Sequence, residues 1–323
     1  MRIILVTPAG PRSRFGNRVT ARRWAGILRS LGHRVAVRTA WDGESADALI
    51  ALHAWRSAAP IRGFRARFPA RPLIVALSGT DIYGFLHTEP ETTRRSLEGA
   101  DVLVGLHDLV GQALPPEFRA RVRVVHQSVS GRSLARRPSK QTFDVCVVGH
   151  LRQEKDPLRA ASAALQMPAE SRLRVLHAGK ARDPEWAEAA RREMARNPRY
   201  RWLGEVPSWR VRRLYERTHA MVISSLTEGG ANVVSEAVVA GLPVIASRIP
   251  GNVGLLGSGY PGYYPPEDTG ALRALLQRAE REPGFLADLT RHGAGRAPLF
   301  APEREREAWR RLLQELGRSR PVS

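Results

Sequence analysis

One cysteine, Cys146, stands in a chain of 323 residues. No disulfide can form within the chain, so a small disulfide-stapled scaffold is excluded and a reducing, cytoplasmic compartment is expected. Cys146 lies inside the apolar run from Val145 to Val148, where a thiol packs as a small hydrophobe and is no nucleophile. Lysine is almost as scarce. Lys140, Lys155 and Lys180 are the only three, so nearly all of the positive charge behind the formal net value of +20 is arginine. Those arginines are spread along the chain with no block of like charge and no interleaved aromatics. That pattern argues against a dedicated nucleic-acid surface and leaves only a weak attraction to anionic surfaces. No apolar run approaches the roughly twenty residues of a membrane span. The opening MRIILVTPAG has too short an apolar run, and no small-residue cleavage site, for a secretory signal; it reads as a first strand. There is no D-x-D pair and no Cys/His cluster with metal-ligand spacing, so no metal or other cofactor is expected. Walker and G-x-G-x-x-G loops are missing too, which counts against NTPases and NAD enzymes.

What is present alternates. Apolar runs at 3–7, 35–38, 48–52, 73–77, 102–106 and 122–125 predict strands, with a helix over 19–31 that Gly32 caps. After a polar, basic stretch (GRSLARRPSKQT, 131–142) a second series begins, with strands at 143–148, 173–178, 201–203, 220–224 and 244–246. Helices are expected over 157–165, 185–196 and 209–217, and a charged tail helix over 303–316 carries Trp309, Leu312, Leu313 and Leu316 on one face. The pattern is α/β and doubly wound, in two domains that meet in that basic stretch, with ligands favoured in a cleft between them.

The segment EGGANVVSEA, Glu228 to Ala237, sets two carboxylates eight positions apart around a glycine pair and a helix start at Asn232. A short apolar strand precedes it, and Gly241-Leu242-Pro243 with another strand follows, which makes a βαβ unit. In such units ligands bind beyond the carboxyl ends of the strands, where first-turn N–H groups accept anions. Glu228 from the loop and Glu236 from the helix can reach one nucleoside diphosphate sugar at two points, with Gly229, Gly230, Ala231 and Asn232 between them.

Three further segments carry candidate chemistry. VGHLRQEKD, 148–156, brings His150, Arg152 and Lys155 to a strand end, where cations can neutralise a departing pyrophosphate. The loop PAGPRSRFGNRVT, 8–20, leads into a helix and offers Gly16, Asn17, Arg18 and Thr20 to a small anion, with positive potential from Arg12, Arg14 and Arg23. Ser78-Gly79-Thr80-Asp81 is a turn at the same sheet edge, and His53 and Arg56 of LHAWRS join it. Asp81 or His53 could act as a base, while a histidine at a strand end also serves as a plain hydrogen-bonder.

The motifs EGGAN with Glu236, GLPVIAS (241–247) and VGHLRQEKD resemble family four glycosyltransferases of the GT-B fold. The resemblance implies two Rossmann-like, doubly wound domains facing a central cleft. Residues 1–135 would form the acceptor domain and 136–301 the nucleotide-sugar donor domain, with the C-terminal helix, 302–323, crossing back to the first. It implies that Glu236 holds the ribose hydroxyls, Glu228 the donor sugar and Lys155 the pyrophosphate. Glu228, Lys155 and Arg152 are then the catalytic set, with His150, Val206 and residues 229–232 completing the donor contacts. Where the family usually carries an arginine five residues before the lysine, this chain has His150. Arg152 is the expected replacement.

Within that family, GNRVTARRWAGILRSLGHRV, LHAWRS, SGTDIY, VGHLRQEKDP and IPGNVGLLG look like the selenosugar synthase branch of selenoneine biosynthesis. That likeness implies transfer from UDP-N-acetylglucosamine or UDP-glucose to selenophosphate, held by Gly16, Asn17, Arg18, Thr20, Arg23, His53, Arg56, Thr80 and Asp81. The alternatives are a membrane-surface glycosyltransferase with a lipid or glycan acceptor, and a non-catalytic nucleotide-sugar or nucleic-acid binder.

Overall fold

A computed structural model describes residues 1–318 apart from Arg12, Arg14, Phe15 and Arg132. The anion-loop arginines Arg12 and Arg14 therefore lie outside the described residues. The chain divides into two units, 1–128 with 301–323, and 129–300.

The first unit contains β1 (Arg2–Val6), α1 (Gly16–Ser30), β2 (Arg34–Arg38), β3 (Ala48–Leu52), α2 (Ala58–Arg67), β4 (Leu73–Ala76), α3 (Leu86–Thr88), α4 (Pro90–Gly99), β5 (Val102–Gly105), α5 (Pro116–Arg119) and β6 (Val122–Val124). Its strands are all parallel, in the order β2-β1-β3-β4-β5-β6. Both faces of the sheet are buried because successive side chains alternate: Ile3 and Leu5 join a core with Trp24, Leu28 and Trp309, while Ile4 and Val6 join one with Ile61, Phe64 and Phe118. Each such side chain taken fully out of water contributes about 1.5–3 kcal/mol.

The second unit contains β7 (Phe143–Val148), α6 (Arg159–Leu165), β8 (Leu173–Ala178), α7 (Pro184–Arg196), β9 (Tyr200–Trp202), α8 (Ser208–Arg217), β10 (Ala220–Ile223), α9 (Asn232–Val239), β11 (Val244–Ser247), α10 (Pro250–Leu256), β12 (Tyr263–Tyr264), α11 (Thr269–Arg281) and α12 (Pro283–Arg296). Its order is β12-β11-β10-β7-β8-β9, again all parallel. The architecture is two Rossmann-like sheets of six parallel strands with helices around them. The tail helix α13 (Pro302–Arg318) belongs to the first unit, where Trp309 meets Trp24 edge-on at 4.8 Å.

Three expectations needed correction. Helix α1 begins at Gly16 and not at Val19, so Gly16, Asn17 and Arg18 are its first turn and no separate turn before it. The expected strand over 201–203 runs from Tyr200 to Trp202. β12, two residues long, was not anticipated, and neither was the run of helices α10 to α12 that packs beside it. Among the described residues no helix is long and apolar enough to cross a membrane.

Candidate functional site

Each sheet has one place where strand order reverses, and crevices at such switch points are the natural ligand sites of open parallel sheets. In the second unit the reversal lies between β7 and β10. The loops leaving those two strands carry VGHLRQEKD and EGGAN. They are stitched together: the Leu226 N–H donates to the Glu154 carbonyl (2.9 Å), and the Ser224 hydroxyl donates to the carbonyls of Lys155 (3.1 Å) and Asp156 (2.8 Å). Asp156 takes a left-handed backbone (φ 43°) to end the short turn that bears Lys155.

The stitching brings Lys155 and Glu228 into direct contact. Lys155 Nζ forms an ion pair with Glu228 Oε1, and the same oxygen accepts from the Ser225 hydroxyl at 2.6 Å. Glu228 is 8% exposed, and no protein donor reaches its Oε2 among the described residues. Behind it stand Ser247, whose hydroxyl donates to the Ser225 carbonyl (2.6 Å), and Asn252, whose amide donates to the Ser247 carbonyl (2.9 Å). Gly251 presses so closely on the Glu228 backbone that a β-carbon there would collide with it. Ser225, Ser247, Gly251 and Asn252 were given no site role from sequence, although GLPVIAS and IPGNVGLLG contain the last three.

Helix α9 starts at Asn232, with Ala231 before it in extended conformation, so its N-terminus follows directly on Glu228, Gly229 and Gly230 (φ 146°). Glu236 sits one turn in, half-buried, and accepts from the Tyr215 hydroxyl at 3.2 Å. Burial, then the nearby Glu236 carboxylate, pushes the Tyr215 hydroxyl well above its ordinary pKa, so it remains a donor. Lys155 and Ser225 thus hold Glu228, and Tyr215 is a partner of Glu236.

His150 follows β7, and its Nδ1 accepts the Lys180 backbone N–H at 3.2 Å. Burial lowers its pKa, and the positive charges of Arg152, Lys155 and Lys180 lower it further against the opposing pull of Glu205. Burial and these charges thus disfavour the charged form of the imidazole at position 150. Arg152 lies 4.0 Å from Glu154 through Nε, and Val206, half-buried, occupies the turn between β9 and α8. All these groups gather at the carboxyl edge of one sheet.

In the first unit the order reverses between β1 and β3. His53, straight after β3, has a left-handed backbone (φ 75°), which is unusual for a residue with a β-carbon. Its Nδ1 is 2.6 Å from Asp81 Oδ1 and its Nε2 is 3.1 Å from the Thr80 hydroxyl. Asp81 is fully buried and also accepts from the Trp55 N–H (3.1 Å), the Ser78 N–H (2.9 Å) and the Ser78 hydroxyl (3.0 Å). The Arg56 guanidinium lies over the Phe85 ring, which Trp55 stacks at 4.1 Å. His53, Arg56, Thr80 and Asp81 are thus brought together as expected from their turns.

The first turn of α1 supplies Gly16, Asn17 and Arg18, with Thr20 just after. Thr20 is buried and accepts from the Gln127 amide at 2.6 Å, which leaves its own proton available to donate. Arg23 pairs with Glu305 of α13 (3.2 Å); that carboxylate is itself buried and also accepts from the Trp24 indole (2.7 Å) and the Ser128 N–H (2.9 Å). Arg23 is therefore anchored by the tail helix. Gln127 had no signal in sequence, but Glu305 did: it sits four residues before Trp309 on the apolar stripe of α13.

Residues 135–296, about half of the chain, match the family model of the group 1 glycosyl transferases. Among solved structures, a sucrose-phosphate synthase from Thermosynechococcus elongatus matches with a TM-score of 0.82 at 16% identity, covering 99% of this chain and 100% of that one. Anabaena HepE in complex with UDP-glucose matches at 0.76 and 15%, covering 98% and 100%. A glycosyltransferase from Rickettsia africae matches at 0.74 and 13%, covering 98% of each. At such identities the likeness is one of fold, and that fold is GT-B.

Proposed function

We propose that this chain, which belongs to the group 1 glycosyl transferases, moves a sugar from a UDP-sugar, UDP-N-acetylglucosamine or UDP-glucose, to selenophosphate. The observation that carries the donor half is the contact of Lys155 with Glu228 at the β7/β10 switch point, beside the opening turn of α9. A diphosphate takes the Lys155 ammonium and the helix N–H groups, Glu228 turns to a sugar hydroxyl, and Glu236 takes the ribose. HepE, of the same fold, binds UDP-glucose. In the reaction the bond from the anomeric carbon to the UDP oxygen breaks and its electron pair leaves with UDP. A selenium lone pair forms the carbon–selenium bond, giving a Se-glycosyl selenophosphate, and water then cleaves its phosphorus–selenium bond to release inorganic phosphate and the selenosugar. No oxidant or reductant is consumed.

The acceptor half is assigned to the first unit. A small anion fits the opening turn of α1, where the Thr20 hydroxyl is left as a donor and Arg18 lies in the same turn. Selenophosphate carries a nucleophilic selenium and needs no strong base, in keeping with a His53 whose two ring nitrogens are both engaged by Asp81 and Thr80. The reaction would run without a metal or other cofactor and would yield a selenosugar of the kind selenoneine biosynthesis uses. Incubation with UDP-N-acetylglucosamine and selenophosphate, read by mass spectrometry, should give a selenosugar, UDP and inorganic phosphate. UDP-sugar bound without any selenosugar would overturn the acceptor assignment.

A second reading, transfer to a lipid-linked acceptor at an anionic membrane, has one observation in its favour. Trp209, 63% exposed, leads the arginine-rich helix α8, SWRVRRLYER. Sedimentation with phosphatidylglycerol vesicles separates the readings, since a purely soluble enzyme stays in the supernatant.

A further inference from the structure

Where the family resemblance has an arginine, this chain has His150, which carries no permanent positive charge. Lys155, paired with Glu228, and Arg152, 4.0 Å from Glu154, are two cations of this edge. Lys180, one of only three lysines, is a third whose charge acts on His150.

Its position is fixed by backbone contacts on both sides. Towards β7, the Lys180 N–H donates to His150 Nδ1 (3.2 Å), the Leu151 N–H donates to the Lys180 carbonyl (2.9 Å), and the Arg182 N–H donates to the Leu151 carbonyl (3.0 Å). Gly179 has no room for a β-carbon because the Gly149 carbonyl presses against it. Towards β9, the Gly179 N–H donates to the Gly204 carbonyl (2.8 Å), and the Trp202 indole donates to the Gly179 carbonyl (2.8 Å). The turn after β8 is thus locked between its neighbours. Its lysine side chain is exposed and makes no ion pair among the described residues, yet its charge is felt at His150. A flexible ammonium on a rigid turn, beside the loop that bears Lys155, is suited to a phosphate oxygen as a point charge.

We infer that Lys180 holds a phosphate of the bound nucleoside diphosphate, in place of the arginine that position 150 lacks; this rests on the donor reading above. His150 then acts through its backbone-anchored ring as a positioning residue for the Lys180 turn.

The test titrates the full-length protein with UDP by calorimetry and with uridine by NMR, for wild type, Lys180→Gln and Lys180→Arg. The side chain is exposed, so these variants should keep the fold, which a melting curve checks. Lys180→Gln should weaken UDP by about tenfold or more, the scale of one charge-assisted contact, while uridine changes less than about twofold and Lys180→Arg restores most of the UDP affinity. Unchanged UDP affinity in Lys180→Gln, or UDP and uridine weakened together, overturns the inference. Wild-type protein that binds neither probe overturns the donor reading itself, and the inference with it.

Discussion

Asp81 and Glu228 are both buried carboxylates at the carboxyl edge of a six-stranded parallel sheet, and they differ in what the fold gives them to hold. Asp81 receives two backbone N–H groups, a hydroxyl and an imidazole, which occupy both of its oxygens. Glu228 receives Lys155 and Ser225 on Oε1 alone. Buried polar groups seek full satisfaction, so a carboxylate whose oxygens are spent internally is a buckle, and one with an oxygen to spare is placed for a ligand.

The contrast predicts opposite outcomes for similar substitutions. Glu228→Ala should cut turnover by about a hundredfold or more, the order expected when a positioning contact is lost, with thermal stability little changed; normal turnover in this variant would remove Glu228 from the donor site. Asp81→Ala should do the reverse. It orphans the N–H groups of Trp55 and Ser78 and the His53 ring, so denaturant unfolding should report a loss of about 3 kcal/mol, while UDP affinity of the folded fraction stays within about twofold. A variant of Asp81 that keeps its stability would end its description as a buckle.

A smaller effect concerns both units together. Burial holds His107 of the first unit and His177 of the second down to about 4, against roughly 6.5 in an unfolded chain. Between those values the unfolded state binds more protons, so stability rises with pH there. The contribution is complete above about pH 6.5 and is lost as pH falls towards 4. Urea midpoints measured from pH 7 down to 4.5 should fall, and His107→Gln should flatten that slope; a slope unchanged in the variant would show that His107 is protonated in the folded state after all.

Much of this was legible in the chain. Apolar runs fall on β1, β3, β4, β5, β7, β8 and β10 because strands buried on both faces need no polar alternation, and EGGAN with VGHLRQEKD marked the loops that meet at the second switch point. The Lys155–Glu228 contact spans residues far apart in sequence, and strand order alone brings it about. What stayed hidden has physical reasons. The start of α1 at Gly16 escaped notice because glycine and asparagine are poor helix formers and the apolar stripe begins later. The left-handed backbone of His53 has no signature in a residue that is not glycine. Gln127 bonds Thr20 from 107 residues away, a partnership that no local spacing encodes. Lys180 was visible as a rarity, but its meaning depends on the Gly149–Gly179 approach that sets its turn beside His150.

Hydrogen exchange of the full-length protein with and without UDP tests the central claim, that the second sheet's switch point is the donor site. The account predicts slowed exchange in segments 149–156 and 225–236, with 53–56 and 78–81 unaltered. Protection confined to the latter pair, with the former unchanged, would contradict it.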